Sequence, residues 1–336
     1  MIFWWLLPVV FAVSWLLTLA LRHYALTQSL LDVPNERSSH TIPTPRGGGM
    51  AIVVAFSTAM LVLASLDGLG GAELKGFLGA GLLVAGIGFA DDHGHIAAKW
   101  RLLGHFVAAA WVLFWIGGLA PLSVFGLLVD LGWLGNGLAL VYLVWMLNLY
   151  NFMDGIDGLA SVEALCVCLG ACLLYWVGGQ VSLIWLALML ACAVLGFLCW
   201  NFPPARIFMG DAGSGFLGLI LGALALQAAW VGPELFWGWV ILLGVFVVDA
   251  TWTLLRRLLR GDKVFQAHRS HAYQFAARRF QSHRAVTLAV VAINVLWLLP
   301  IALFVVMGML EPVAGLSLAY APLVFSAWFF KAGTLE

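Results

Sequence analysis

Charged residues are scarce in this 336-residue chain: Asp, Glu, Lys and Arg together make up only 10% of it. An ordinary globular domain contains about 25% charged residues, because its surface has to face water. Hydrophobic residues make up 63% of the chain, against roughly 45–50% in globular domains. The composition therefore excludes the two-domain soluble protein that the length alone would suggest. It predicts an all-α protein that crosses a membrane many times.

Two further absences concern chemistry. The chain has no phosphate-binding motif of the form GxxxxGK[ST], which excludes a P-loop. Its five cysteines form no CxxC pair, and none lies near the acidic motifs described below. We also predict no nucleic-acid partner.

Apolar segments that could cross a membrane occur ten or eleven times. A transmembrane helix needs about 20 mostly apolar residues. The eleven predicted spans cover approximately residues 1–21, 48–66, 75–90, 102–118, 135–150, 159–177, 181–199, 213–231, 235–255, 285–307 and 313–330. We expect them to form a single membrane domain, residues 1–336, in which the first helix is retained and not cleaved as a signal peptide.

Lys and Arg are distributed unevenly between the two sets of loops. With eleven spans, 15 of the 16 lie on the same side as the C-terminus, and only Lys75 lies on the other side. Because positively charged loops stay in the cytoplasm, this side is predicted to be cytoplasmic and the N-terminus to be outside. The predicted cytoplasmic loops are approximately residues 22–47, 91–101, 151–158, 200–212 and 256–284.

Five aspartates lie in or beside three of these loops: Asp91, Asp92, Asp154, Asp157 and Asp211. Carboxylates gathered on one face of a membrane would repel one another unless a cation lies among them. Their oxygen ligands, with no cysteine nearby, favour Mg²⁺ or Mn²⁺ over Zn²⁺. The sequence therefore predicts a divalent metal site on the cytoplasmic face.

Structural roles stay open for part of this set. Asp91 and Asp92 could be a solvated helix end, compensated by Lys99 and Arg101. Asp211 could simply cap the helix that follows it.

Two amides accompany the aspartates at the end of the fifth span. Asn148, Asn151, Asp154 and Asp157 recur at every third position, and on a continuous helix such a set rotates around the axis. These side chains can converge only if the helix ends there, which the interspersed glycines permit.

The loop 256–284 contains eight of the sixteen basic residues. Within it, His268 and His271 are three residues apart and would share a face if the segment were helical. A basic segment lying on anionic lipid would explain the charges, but it explains the histidines less well. Acidic residues that bind a hard metal, surrounded by Arg, Lys and His, are typical of a pyrophosphate substrate.

Five motifs occur in a characteristic order: DVPNERSSHTIPTPRGGG (32–49), GFADD (88–92), NLYNFMDGIDGLA (148–160), IFMGDAGSGFLG (207–218) and AHRSHAYQ (267–274). Through them the chain resembles the polyprenyl-phosphate N-acetylhexosamine-1-phosphate transferase family, and most closely its O-antigen initiating transferases. The resemblance implies that undecaprenyl phosphate attacks the β-phosphate of a UDP-N-acetylhexosamine and that UMP leaves. It also implies an active site on the cytoplasmic face of the bacterial inner membrane.

Residue roles are carried over by matched position. Asp211 and Asn151 are implied to bind Mg²⁺ or Mn²⁺, and Asp91 and Asp92 to position or deprotonate the lipid phosphate. Asp154 and Asp157 are implied to be catalytic residues of the cleft. The predicted substrate-binding residues are Arg46, Lys99, Arg101, Asn148, His268, Arg269 and His271.

A transporter of lipid-linked or nucleotide sugars is the alternative function. A transporter should place ionisable groups near the bilayer midplane, where the candidates are Glu163, Asp249 and Asp130. Most polar groups lie at one surface instead, which favours an enzyme.

Aromatic residues such as Trp4 and Trp5 suit a membrane interface as well as a contact in a homodimer. For the reaction we favour direct attack by the lipid phosphate over a covalent aspartyl intermediate.

Overall fold

The computed structural model describes residues 3–34, 42–94, 96–262 and 268–334. Parts of three predicted loops, at residues 35–41, 95 and 263–267, therefore lie outside the described chain. The helices are α1 (Leu6–Thr27), α2 (Met50–Ser65), α3 (Gly71–His93), α4 (Ala98–Ile116), α5 (Gly132–Met153), α6 (Leu159–Val177), α7 (Ile184–Asn201), α8 (Asp211–Ala229), α9 (Pro233–Leu242), α10 (Gly244–Leu259), α11 (Ala272–Phe280), α12 (His283–Ile293), α13 (Leu299–Val306) and α14 (Pro312–Phe329).

Strands are few and short in the described residues. β1 (Leu31–Asp32) pairs antiparallel with β2 (Thr44–Pro45), and β3 (Leu122–Val124) forms a hairpin with β4 (Leu127–Val129). The predicted all-α fold with many membrane spans is confirmed.

Each of the eleven predicted spans coincides with helical structure. Eight helical segments of the described chain are long and apolar enough to cross a membrane alone, and the bent pair of α9 and α10 adds a ninth. Of the other two, α2 has only 16 residues, and α4 carries Lys99 and Arg101 in its first turn.

The predicted span 235–255 is not one continuous helix. α9 ends at Leu242, α10 begins at Gly244, and the two axes differ by 69°. Near the break, the Tyr320 hydroxyl of α14 donates a hydrogen bond of 2.7 Å to the Val240 carbonyl of α9. A partner from another helix thus supports the bend, and the local apolar pattern carries no sign of it.

Helix α8 lies at the centre of the bundle. Every residue from Ala212 to its last residue is buried. Glycines allow its neighbours to approach closely: a Cβ at Gly218 would lie 2.4 Å from the Met146 carbonyl of α5. α8 is therefore held in place along its length, and its first turn is held with it.

The two ends of the bundle differ in chemistry. One end, called the polar end, contains the last turns of α3, α5 and α7 and the first turns of α4, α6 and α8, where the predicted polar clusters lie. At the opposite end the β3–β4 hairpin packs on neighbouring helices, since the Trp237 indole donates to the Ser123 carbonyl and the Phe125 amide donates to Glu311. The one-sided placement of the polar motifs is a property of the fold.

Candidate active site

The site forms where the end of α3 meets the beginning of α8. The buried Asp92 carboxylate accepts hydrogen bonds from the backbone N–H groups of Asp211, at 3.4 Å, and Ala212, at 3.5 Å. These N–H groups have no partner within α8, and a negative charge there is favourable. One turn earlier, a Cβ at Gly88 would lie 2.5 Å from the Ala212 backbone. Asp92 therefore caps α8 from outside, a role that leaves less of its carboxylate for a substrate.

A glycine-rich segment covers this junction. Residues 45–49 run beside residues 208–210, joined by three backbone hydrogen bonds of 2.8–2.9 Å. Gly210 has a φ of +79°, and a Cβ there would lie 2.7 Å from the Asp92 carboxylate. Arg46 donates to the main-chain carbonyl of Asp92. The predicted substrate-binding arginine thus lies beside the acidic pair.

Arg101 connects two of the predicted aspartates. Its guanidinium forms an ion pair with Asp91 and a second one, of 3.2 Å, with Asp211. The other Asp91 oxygen accepts from the Ile96 amide at 2.8 Å. The cation expected to compensate the acidic pair is Arg101, and it acts on Asp91, whereas Asp92 is compensated by α8.

Asn151 lies beside Asp211, as expected for a shared ligand set. Its side chain donates to the Ser214 hydroxyl at 3.0 Å, and it lines the same narrow cavity as Asp211. α5 ends two residues later, at Met153. The expected end of the helix within this polar set is confirmed, but the set does not converge on one site, because Asp157 faces Ala205 and His283.

Asp154 is the least compensated carboxylate. No hydrogen bond to its side chain is found within the described ranges. Burial, and then the charges of Asp211, Asp92 and Asp157, raise the pKa of Asp154 well above its usual range. Such a carboxylate is stabilised by any cation that comes close.

A narrow cavity of about 50 Å³ opens beside Asp211, between α3, α4, α5 and α8. Its polar lining is formed by Arg101, His105, Asn148 and Asn151, and apolar side chains complete the wall. The His105 Nδ1 lies 3.4 Å from the Asn148 amide nitrogen. Six residues are called the carboxylate site below: Asp91, Asp92, Arg101, Asn151, Asp154 and Asp211.

Asp157 points away from the carboxylate site. Its carboxylate accepts from the Ala205 amide at 3.0 Å and lies 3.2 Å from the His283 Nδ1. It lines a second, open cavity of about 470 Å³ together with Phe208 and Arg284. The two aspartates of the DGID motif thus belong to adjoining regions, because the chain turns between α5 and α6.

The segment with His268 and His271 is not helical, so the condition under which the two would share a helical face is not met. α11 begins at Ala272, and His271 precedes it in an extended conformation. The two rings nevertheless lie side by side, with centroids 4.9 Å apart. Burial, and then the nearby charges of His271 and Arg257, lower the pKa of His268 to about 3, so its ring is neutral at physiological pH.

Asp249 of α10 holds this segment. Its carboxylate accepts from the backbone N–H groups of Ala272, at 2.9 Å, and Tyr273, at 3.0 Å, and lies 3.3 Å from the His271 Nδ1. The Thr253 hydroxyl completes the set at 3.2 Å. Residues 268–273 are called the histidine loop below.

Tyr273 joins the histidine loop to the carboxylate site. Its hydroxyl donates to the Phe152 carbonyl at 3.0 Å, between Asn151 and Asp154. A Cβ at Gly155 would lie 2.1 Å from that hydroxyl, so glycine makes the approach possible. The two regions predicted to handle one substrate are therefore neighbours.

Two of the predicted substrate-binding residues have other surroundings. Lys99 is exposed, lies over the Trp100 ring at 5.4 Å and forms no ion pair with a described acidic residue. The Arg269 carbonyl accepts from Arg278. Their roles toward a substrate stay predictions.

Sequence reasoning considered Asp249 only as an ionisable group of the midplane. The structure gives it a different place, against the histidine loop. Its sequence signal is weak: Asp249 is a single acidic residue in the apolar run VFVVDATW, 22 residues before its partner His271. Tyr273 stood within a motif but without a role. Neither contact follows from spacing, because both connect separate elements.

The predicted metal ligands are Asp211 and Asn151. In the described part of the chain, no three His, Cys, Asp or Glu side chains are grouped closely enough to bind a metal ion. The Asp211 carboxylate and the Asn151 amide line one narrow cavity, however, and the Asp154 carboxyl group lies nearby. This donor set fits a hard cation that completes its shell with water or substrate oxygens, as Mg²⁺ does.

Known proteins resemble this chain over much of its length. The sequence model of the family described as "Glycosyl transferase family 4" matches residues 74–229. A "Decaprenyl-phosphate N-acetylglucosaminephosphotransferase" of Mycolicibacterium smegmatis is 31% identical, covering 83% of this chain and 75% of that protein. A "Probable undecaprenyl-phosphate N-acetylglucosaminyl 1-phosphate transferase" of Bacillus subtilis is 28% identical, covering 83% and 78%. A "Phospho-N-acetylmuramoyl-pentapeptide-transferase" of Moorella thermoacetica is 34% identical, covering 68% and 74%.

Proposed function

The chain belongs to the polyprenyl-phosphate N-acetylhexosamine-1-phosphate transferase family, whose enzymes transfer a sugar 1-phosphate to a polyprenyl phosphate, and we propose that its own donor is a UDP-N-acetylhexosamine. The acceptor is undecaprenyl phosphate, UMP is released, and the product starts a cell-surface polysaccharide such as O-antigen. One observation carries the proposal: four helix ends bring carboxylates, an arginine and amides together, and Tyr273 ties the histidine loop to them.

The lipid phosphate is proposed to bind at the narrow cavity. Arg101 is the cationic residue of its lining, and apolar side chains of α3 and α5 stand beside the polar residues there, as suits a headgroup that arrives from the bilayer. Asp91 fixes the position of Arg101 through their ion pair, and Asp92 fixes the first turn of α8. On this view the acidic pair acts mainly by positioning.

The nucleotide sugar is proposed to bind between the histidine loop and the open cavity. That cavity, about 470 Å³ in volume, offers the aromatic ring of Phe208 and the charge of Arg284. His271 and Arg269 are the proposed partners of the pyrophosphate, which needs cationic and hydrogen-bonding groups. The neutral His268 contributes a hydrogen bond and no charge.

Asp211 and Asn151 are the proposed holders of Mg²⁺ or Mn²⁺. The ion would take up negative charge on the pyrophosphate as UMP leaves. A cation held there would also favour the ionised form of Asp154, whose pKa is raised by burial and by the charges of its acidic neighbours.

Direct attack by the lipid phosphate is the proposed chemistry. A phosphate monoester is largely dianionic near neutral pH, since its second pKa is about 6, and needs no base. The alternative nucleophile, Asp211, already forms an ion pair with Arg101. A covalent intermediate on Asp211 would remove the carboxylate charge on which this ion pair depends.

The positions and partners of the ionisable groups inside the bundle argue against the transporter function. Asp249 binds the histidine loop, and Asp130 accepts from the Gly132 amide at the opposite end. Glu163 accepts a hydrogen bond of 2.7 Å from the side chain of Asn294, the residue that follows α12. Only the Glu163 pair is left of the midplane candidates.

We further propose that the polar end faces the cytoplasm at the inner membrane, and that exposed aromatic surface allows a homodimer.

The test is turnover by the purified protein. UDP-N-acetylglucosamine, which the names of several relatives suggest, and two further UDP-N-acetylhexosamines are supplied with undecaprenyl phosphate and Mg²⁺, and UMP is measured. We expect UMP only when both substrates and the metal are present, and its loss on chelation. UMP release without lipid, in an amount near one per protein with label kept on the protein, would contradict direct attack. Absence of turnover with every donor would contradict the function.

A further inference from the structure

The segment that follows α14 contacts the histidine loop. We propose that residues 331–334, here called the brace, hold this loop in the form that binds the nucleotide sugar, and so set the affinity for that substrate. The inference rests on the proposed function for its substrate, but the contacts that carry it are independent of any substrate.

The brace bonds to the middle of the histidine loop. The Gly333 amide donates to the Ser270 carbonyl at 2.7 Å. Ser270 is only 6% exposed, and its hydroxyl lies 2.9 Å from the His268 Nδ1. A movement of the Ser270 backbone therefore moves His268 directly, and His271 is the next residue along the chain.

Helix α10 fixes the brace in turn. Arg256 donates to the Ala332 carbonyl at 3.2 Å, and Arg260 donates to the Gly333 carbonyl at 2.6 Å. Hydrogen bonds from a guanidinium are stronger than those between neutral groups. Ala332 is fully buried beneath these contacts. Asp249 lies on the same helix. Helix α10 therefore contacts the histidine loop directly through Asp249 and indirectly through the brace.

The conformation of the brace requires glycine at position 333. Gly333 has a φ of +75°, and a Cβ there would lie 3.0 Å from the Arg256 Cβ and 3.2 Å from the Thr253 carbonyl. A larger residue would have to push the brace away from α10, and the amide that bonds Ser270 would move with it. Among the described residues, no hydrogen bond or ion pair joins the carboxylate site to the brace, so the effect should fall on one substrate only.

Gly333→Val tests the proposal, and Gly308→Val is its matched control. Gly308 also has a positive φ, of +69°, but no heavy atom lies within 4 Å of its Cβ position, and it follows α13 at the opposite end of the bundle. Hydrogen exchange of the peptide 268–280 and the apparent KM for each substrate are measured for both variants.

In Gly333→Val we expect faster exchange in this peptide and a KM for the UDP-sugar raised roughly fivefold to tenfold, as for one lost buried hydrogen bond. The KM for undecaprenyl phosphate should stay the same, and Gly308→Val should resemble the wild type in both measurements. Arg256→Ala, which removes one bond to the brace without backbone strain, should act in the same direction with a smaller effect.

Unchanged exchange in both brace variants, or equal changes in the two KM values, would overturn the proposal. If Gly333→Val does not fold, Arg256→Ala decides the question by the same two measurements. A wild-type protein that turns over no UDP-sugar contradicts the proposed function instead, and this outcome is seen before any variant is made.

Discussion

In the carboxylate site, side chains from the ends of α3, α4, α5 and α8 contact one another directly, whereas the histidine loop depends on contacts from outside itself. Asp92 caps a helix that is buried along its whole length, and Arg101 bridges two carboxylates. The histidine loop has no regular structure before Ala272 and is held by Asp249 and Gly333. The first region is rigid because the helix packing defines it. The second can be changed through single hydrogen bonds, which would suit the proposed binding and release of a nucleotide sugar there.

The largest expected effect lies in the carboxylate site. Asp211→Asn removes the charge that Arg101 and the proposed metal share, and we expect a loss of about 10²–10³-fold in kcat, the size found for one electrostatic partner of a transition state. Turnover with saturating substrates and titrated Mg²⁺ measures it. Asp130→Asn, at the opposite end, is the control. Near-normal turnover with unchanged metal dependence would show that Asp211 has been assigned wrongly.

The second prediction tests whether the histidine loop and the carboxylate site act on different substrates. Asp249→Asn replaces a carboxylate, in which both oxygens accept, with an amide that has one accepting oxygen and one donating NH₂ group. At least one of the N–H groups of Ala272 and Tyr273 therefore loses its partner. A buried unsatisfied donor costs about 1–3 kcal/mol, which corresponds to a KM for the UDP-sugar raised roughly fivefold to 150-fold. The KM for the lipid should change little. If both values rise together, the histidine loop is not a separate unit.

A smaller effect tests the rigidity of the carboxylate site. Gly88→Ala places a Cβ 2.5 Å from the Ala212 backbone, whereas the same change at Gly86 meets no atom within 4 Å. We expect Gly88→Ala to destabilise the protein by about 1–3 kcal/mol, as overpacking does, and Gly86→Ala to leave it unchanged. Thermal unfolding in detergent compares the two. Equal midpoints would mean that α3 and α8 can move apart.

The smallest expected effect is the response of the histidine loop to pH. The pKa of His268 is lowered to about 3, from an ordinary value of 6.5. The unfolded loop therefore binds a proton between these values while the folded loop does not, so the folded form loses stability as pH falls below about 6.5. The KM for the UDP-sugar should rise between pH 7.5 and pH 5. His268→Gln should show a weaker rise, and an identical profile would exclude His268 as the source.

Much of the fold could be predicted from the sequence because the apolar spans are long and the solvent is a bilayer. All eleven predicted spans are helical, and the end of α5 near Asn151 followed from the spacing of its polar residues and glycines. The bend between α9 and α10 was missed, since its support comes from Tyr320, some 80 residues away. A shared helical face for His268 and His271 depended on a helix there, and α11 begins only at Ala272, where Asp249 accepts from the first backbone N–H groups.

The sequence by itself determined that this is a helical membrane protein, that its acidic and basic motifs lie on one side, and to which family it is similar. Composition, periodicity and the placement of Lys and Arg are sufficient for these points, because each depends on the local preference of a segment for lipid or water. Only the tertiary structure decided which aspartate faces which partner. Asp91 pairs with Arg101, Asp92 caps α8, Asp157 turns to His283, and Asp249 holds His271. Such pairings depend on how helices from distant parts of the chain pack, and a close approach of that kind leaves no periodic trace in the sequence.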